Sequence, residues 1–247
     1  MANFTSFLDI LPDPNNPIGE GGEALATSSG GVLGQGFKTV KVTSNSPTQV
    51  SRTNSGRTIT RRIAGHTWDI NITYNPMTRD QFEPVFNFLL SKGRLNPFYV
   101  QLPNQYSGRN AAFGTHTSSN TPTAGTALLQ GAEFMLQAGH STTQTTTPKP
   151  GDMFTITDAD DSLHTKAYRV TRVMDNAAYH TGLHSQPTTA QRIVYFSPAL
   201  QRAVSSGSGI DYYQPLIRVI MKSDMQQYSL STNNLYSFSL SLQEVQA

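Results

Sequence analysis

Residues 68–103 read WDINITYNPMTRDQFEPVFNFLLSKGRLNPFYVQLP, and this stretch decides the fold. Trp68, Ile70, Ile72 and Tyr74 alternate with Asp69, Asn71 and Thr73, the period-2 pattern of a strand with one buried face. Asn75-Pro76 breaks that strand. Thr78 stands at an N-cap position and Gln81 three residues on, the spacing of a capping box. Phe82, Val85, Phe86, Leu89 and Leu90 then recur at helical spacing, and Gly93 follows Lys92 as a C-cap. The spacing predicts a helix over 78–92, with Pro84 near its first turns. Phe82, Phe86 and Leu89 are expected to bury against the strand that carries Trp68 and Ile70. On that reading Phe86→Ala costs about 3–5 kcal/mol. Residues 96–103 (NPFYVQLP) form the next strand.

Working outward, most further elements are strands. FKTVKV (37–42) alternates, and SGRTITRRI (55–63) follows it. PGDMFTITD (150–158), KAYRVTRVM (166–174) and QRIVYF (191–196) are strand patterns, whereas TALLQGAEFML (126–136) suits strand or helix. Near the C-terminus come PLIRVIMKSD, QQYSLST and LYSFSLSLQEV. In the last of these, Tyr236, Phe238, Leu240 and Leu242 alternate with Ser237, Ser239, Ser241 and Gln243, a strand with one buried face. The fold class is mainly β with one flanking helix. Residues 36–121 and 205–247 are expected to form one β domain, and 122–204 a small β-barrel-like insertion.

Residues 12–35 (PDPNNPIGEGGEALATSSGGVLGQ) are rich in Pro, Gly and Ser and lack periodicity. With residues 1–11 they form an extended N-terminal arm over 1–35. The cluster Phe4, Phe7, Leu8, Ile10 and Leu11 is expected to dock on a neighbouring subunit through this spacer. Deleting 1–35 is then expected to leave the subunit fold intact and to weaken assembly. The start of the chain has neither a basic opening nor a continuous apolar core, so it does not read as a secretory leader. No apolar run approaches the length of a membrane span.

Composition narrows the function. Charged residues are 14% of the chain, against about 25% in ordinary globular proteins. Such a surface suits burial against partners, since interface cores are depleted in charge. The net charge of +2 is mild, and the absence of cysteine excludes disulfides and thiolate metal sites. Arg52, Arg57, Arg61 and Arg62 form the densest basic stretch. It reads as the polar face of a strand pair or as a contact for acidic partners or passing DNA.

No catalytic, cofactor-binding or metal site is expected. His180 and His184 are four apart, but no Glu follows His180 as a zincin requires, and Gly182, Ser185 and Pro187 argue for a loop. Asp158, Asp160 and Asp161 could suggest calcium, yet the Gly and Glu of an EF-hand loop are missing. They read as a polar turn between the 152–157 and 166–173 strands. The glycines of GEGG (19–22) and GGVLGQG (30–36) lack the strand-to-helix setting of a phosphate loop. Ser205–Gly209 is likewise a loop and not a nucleophile elbow. Trp68, the sole tryptophan, is expected in the core.

Three segments taken together resemble tail structural proteins of phages, in particular distal tail and baseplate-hub proteins. The first is 68–103. The second is PGDMFTITD, AYRVTRV and IVYFSPAL within 150–200, similar to a small β module of tail proteins. The third is 215–245, which looks like their terminal strand pair. The resemblance implies a tail-tube-like β-sandwich or barrel flanked by one helix. It further implies a homo-oligomeric ring, usually sixfold with threefold as the alternative, that joins other tail-tube and baseplate proteins. DNA would pass through the lumen without specific binding. It also implies a non-enzymatic virion protein assembled in the host cytoplasm. The competing reading is a carbohydrate- or receptor-binding β module of a tail tip, with Tyr106, Tyr212 and Tyr213 as candidate exposed aromatics.

Overall fold

The computed structural model describes residues 10–11, 17–18, 32–33, 37–62, 65–101, 122–139, 147–177, 179, 186–212, 215–224 and 226–246. Among them are one helix and sixteen strands, labelled here in chain order, so the protein is mainly β. The chain divides into two compact units. One combines Met1–Val100 with Arg218–Val245, and the other is Gln101–Ile217 with Gln246–Ala247.

The first unit opens with two short paired strands, β1 (Pro17–Ile18) and β2 (Val32–Leu33). Its sheet contains β3 (Phe37–Asn45), β6 (Thr67–Tyr74), β7 (Phe98–Gln101), β14 (Leu216–Met221) and β16 (Tyr236–Glu244), in the order β3-β6-β16-β14-β7. A short strand, β15 (Tyr228–Leu230), pairs with the start of β16. The register explains the alternation in the sequence. Val42, Ile70 and Leu242 form one cross-strand row, and Val40, Ile72 and Leu240 the next. Facing apolar pairs of this kind are the unit of sheet stabilisation, each contributing about 0.2–1 kcal/mol. At the end of the sheet the buried Glu244 accepts the Trp68 backbone N–H at 3.1 Å. Trp68 itself is 5% exposed, in the core as expected.

The helix α1 (Arg79–Lys92) covers the apolar face. Gln81 Oε1 accepts the Thr78 N–H at 3.1 Å, the reach-back contact expected of a capping box. Gly93 ends the helix at φ 56, a conformation costly for other residues, and its N–H reaches the Leu89 carbonyl at 2.9 Å. Pro84 lies inside the helix without ending it. The buried residues are Phe82, Val85, Phe88 and Leu89. This corrects the expected stripe: Phe86 is only half-buried and Leu90 is 58% exposed. At about 100° per residue, Phe86 and Leu90 fall at the rim of the arc that runs from Phe82 to Phe88. Phe88 is drawn inward by Phe98 of β7, whose ring is 5.4 Å away. That contact is invisible in helix periodicity alone.

The N-terminal arm is corrected in part. Ile10 makes a parallel bridge with Tyr99, Leu11 donates its N–H to the Tyr99 carbonyl at 2.8 Å, and Leu11 is 2% exposed. Leu11 thus belongs to the core of its own unit, and Ile10 lies half-buried beside it. Deleting 1–35 therefore removes a core side chain, against the expectation that the subunit fold would be untouched. Phe4, Phe7 and Leu8 lie outside the described residues.

The second unit is a closed barrel. Its strands are β8 (Thr123–Ala124), β9 (Phe134–Ala138), β10 (Met153–Thr157), β11 (Ala167–Met174), β12 (Arg192–Ser197) and β13 (Gly209–Asp211), in the order β10-β11-β12-β9-β8-β13, with β13 closing on β10. A register shift between Val170 and Arg172 bulges β11 and sharpens its curl. Gly125 sits where a Cβ would come within 3.0 Å of the Leu136 carbonyl, so the close approach of the chain there needs glycine. Four rings fill the interior: Phe154 lies 5.6 Å from Tyr168, 5.7 Å from Phe196 and 5.1 Å from Tyr212. The barrel extends past residue 204, where the insertion was expected to end. Gly209, Ile210 and Asp211 have no legible period, and only their pairing with β10 and β8 makes them a strand.

Candidate assembly surface

The polar face of the first unit's sheet follows directly from the alternation that builds its core. Lys41, Asn71 and Ser241 form one row across β3, β6 and β16, and Thr43, Asp69 and Gln243 another. The face is hydroxyl- and amide-rich. Its Asp69 is paired with Lys222, Nζ to Oδ2 2.9 Å.

One edge of this sheet is β3, nine residues long and bonded only to β6 among the described strands. A long strand with unpaired N–H and C=O groups is a template for pairing with another chain. The opposite edge is different. There Ile10 and Leu11 lie along Tyr99 of β7. Tyr228 and Leu230 of β15 are 50% and 53% exposed. Tyr228 rests against Phe86 at 5.3 Å and Phe82 at 5.0 Å, so the half-buried Phe86 joins the rim of the helix to this short strand.

Beyond the end of the β3–β6 pair the chain forms a separate ribbon, β4 (Thr48–Arg52) with β5 (Thr58–Arg62). Thr53 shapes its turn: its carbonyl accepts the Gly56 N–H at 2.9 Å and its Oγ1 accepts the Arg57 N–H at 3.1 Å. Every residue from Thr48 to Arg61 is exposed, including Val50 at 63% and Ile59 at 53%. The ribbon thus carries the basic stretch singled out in the sequence.

The second unit gathers a polar cluster at its Asp-rich turn. Asp158 Oδ1 accepts the Asp160 N–H at 3.0 Å, and its Oδ2 accepts the Ser205 N–H at 2.8 Å. Burial works to raise the Asp158 pKa, but these donors outweigh it and hold the carboxyl below its ordinary value. Arg202 makes a two-pronged contact with Asp161, one arm from its Nε and the other from Nη2 at 3.2 Å, and holds that carboxyl low as well. His164 Nε2 meets the Tyr168 hydroxyl at 3.0 Å, and burial lowers the His164 pKa against the pull of Asp161 and Asp158. All three aspartates are thus engaged in turn and loop bonds, which gives the Asp158–Asp161 turn a structural task. Ser205 joins the same cluster, its Oγ donating to Asp160 Oδ2 at 2.7 Å.

Among the described residues, no group of three or more His, Asp or Glu is placed to hold a metal ion. His180 and His184 lie outside them, as do Tyr106, Tyr213 and the glycine runs at 19–22 and 30–31. Tyr212 corrects the expectation of an exposed aromatic. It is fully buried, its hydroxyl donates to Gln137 Oε1 at 3.1 Å, and burial raises its pKa well above the ordinary value. Its neighbour in sequence, Asp211, hides this from pattern reading, because only barrel closure turns Tyr212 inward. No helix among the described residues is long and apolar enough to cross a membrane.

No family model matches this chain, and no curated protein matches its sequence.

Proposed function

We propose that this chain is a non-enzymatic structural subunit of a phage tail, forming a ring of the baseplate hub or distal tail around the DNA channel. The observation that carries the reading is the sheet of the first unit. It combines a nine-residue open edge with a face that is mostly Ser, Thr, Asn and Gln, on which Asp69 is paired with Lys222. An open edge is a hazard in a monomer and an asset in a closed ring, where each edge finds the next subunit. A hydroxyl-rich face turned to the lumen would let a polyanion pass without capture. The ring is homo-oligomeric, six subunits with three as the alternative, and it stacks on other tube and baseplate proteins in the virion. Of the aromatics named for the sugar-binding alternative, Tyr212 is buried in the barrel.

The test is the mass of the full chain in solution by light scattering, with negative-stain images of the same sample. Closed rings with a central opening are expected. A chain that stays at its 27.0 kDa monomer mass at every concentration reached, with no rings in the images, would overturn the proposal.

A further inference from the structure

Charge is distributed unevenly along this chain. From Phe37 to Trp68 there are six Lys and Arg residues and no Asp or Glu. Four of the six, Arg52, Arg57, Arg61 and Arg62, fall on the β4–β5 ribbon or its turn. Arg52, Arg57 and Arg61 are exposed and make no ion pair among the described residues.

The pairing shows how the ribbon presents them. Val50 faces Thr60 and Arg52 faces Thr58, so one side holds Val50 and Thr60 beside the basic Arg52. The other side holds Ser51 opposite Ile59 and Gln49 opposite Arg61. Each side has one aliphatic side chain, at least one arginine and small polar residues; neither has an aromatic or a continuous apolar stripe. A ribbon that docks on a protein surface buries one apolar face and leaves the other to water, and the cores of such interfaces favour aromatics. A ribbon basic on both sides matches a groove whose two walls are both anionic. The major groove of B-form DNA is about 12 Å wide and admits a two-stranded ribbon. Five residues of strand reach about 17 Å along it. An isolated two-stranded ribbon is marginally stable in water, so a partner that supports both faces also orders it.

We infer that the β4–β5 ribbon is a sequence-independent contact for double-stranded DNA, with Arg52, Arg57 and Arg61 meeting backbone phosphates. This goes beyond the ring reading and does not depend on it, since a monomer could bind duplex in the same way.

The experiment measures binding of the full chain to a fluorescent duplex of about two helical turns by anisotropy, over a range of salt. Three phosphate contacts give a slope of log affinity against log salt of about −2.7, a loss of about 40-fold between 50 and 200 mM salt. Two duplexes of unrelated sequence should bind alike. The variant R52Q/R57Q/R61Q should lose binding at least tenfold and keep its circular-dichroism spectrum and melting temperature. A control variant, K149Q/R169Q/R172Q in the second unit, should bind as the natural chain does. Absence of duplex binding at low salt, or equal loss in both variants, would overturn the inference. So would competition by polyglutamate as effective, charge for charge, as competition by DNA, which would assign the ribbon to an acidic protein surface.

Discussion

Phe82→Ala and Phe86→Ala should differ sharply, although both residues sit on the same helical stripe in the sequence. Phe82 is 2% exposed and stacks on Tyr236 with ring centroids 4.6 Å apart. It also touches Phe86 at 5.2 Å and Tyr228 at 5.0 Å. Truncating a buried Phe to Ala costs about 3–5 kcal/mol, and the lost ring pairs place Phe82 at the upper end of that range. Phe86 is half-buried at the rim of the same cluster. Burial scales with area, so its truncation should cost about 1–2 kcal/mol, below the value that helix periodicity alone suggests. Trp68 provides the assay. It is the sole tryptophan, buried in the first unit, so its fluorescence during urea unfolding reports that unit and not the barrel. The shift in midpoint, at unchanged slope, gives the loss for each variant. Equal losses for the two variants, or a loss under about 1 kcal/mol for Phe82→Ala, would refute the placement of the helix on the sheet.

Two further outcomes follow from the packing. Leu11→Ala should cost the first unit about 2–5 kcal/mol by the same fluorescence assay, because Leu11 is fully buried beside Tyr99; a neutral result would return the whole arm to a docking role. The second unit should lose stability in acid, read as its melting transition by circular dichroism. Burial lowers the His164 pKa, so the unfolded chain takes up the proton first and stability falls as pH drops below the ordinary value of 6.5. The depressed carboxyls of Asp158 and Asp161 add a second loss as pH falls below 3.8. His164→Gln should flatten the first of these windows and leave the second; an unchanged profile between pH 7 and 5 would sink this account of His164.

Much of this protein was legible in its sequence because a strand with one wet face must alternate. Trp68 to Tyr74 and Phe238 to Leu242 could be assigned to strands, and their apolar residues to a core, without coordinates. The helix, its capping residue Gln81 and its terminal Gly93 were legible for a related reason. Backbone groups at helix ends need partners that only a few residue types supply. The mainly β class and the one helix among the described residues follow from these local rules.

What local rules could not reach is set by contacts between residues far apart in the chain. Which side of the helix turns inward depends on Phe98, and so Phe88 is buried while Phe86 stays at the rim. Leu11 looks like part of a free arm until Tyr99 offers it a backbone carbonyl. Gly209–Asp211 and Thr123–Ala124 are too short to show a period, and they become strands only because the barrel must close. Tyr212 reads as exposed beside polar neighbours, yet closure points it at Gln137. The open edge of β3 and the isolation of the β4–β5 ribbon are likewise properties of the pairing order. Alternation tells which face of a strand is wet; it says nothing of whether another strand lies alongside.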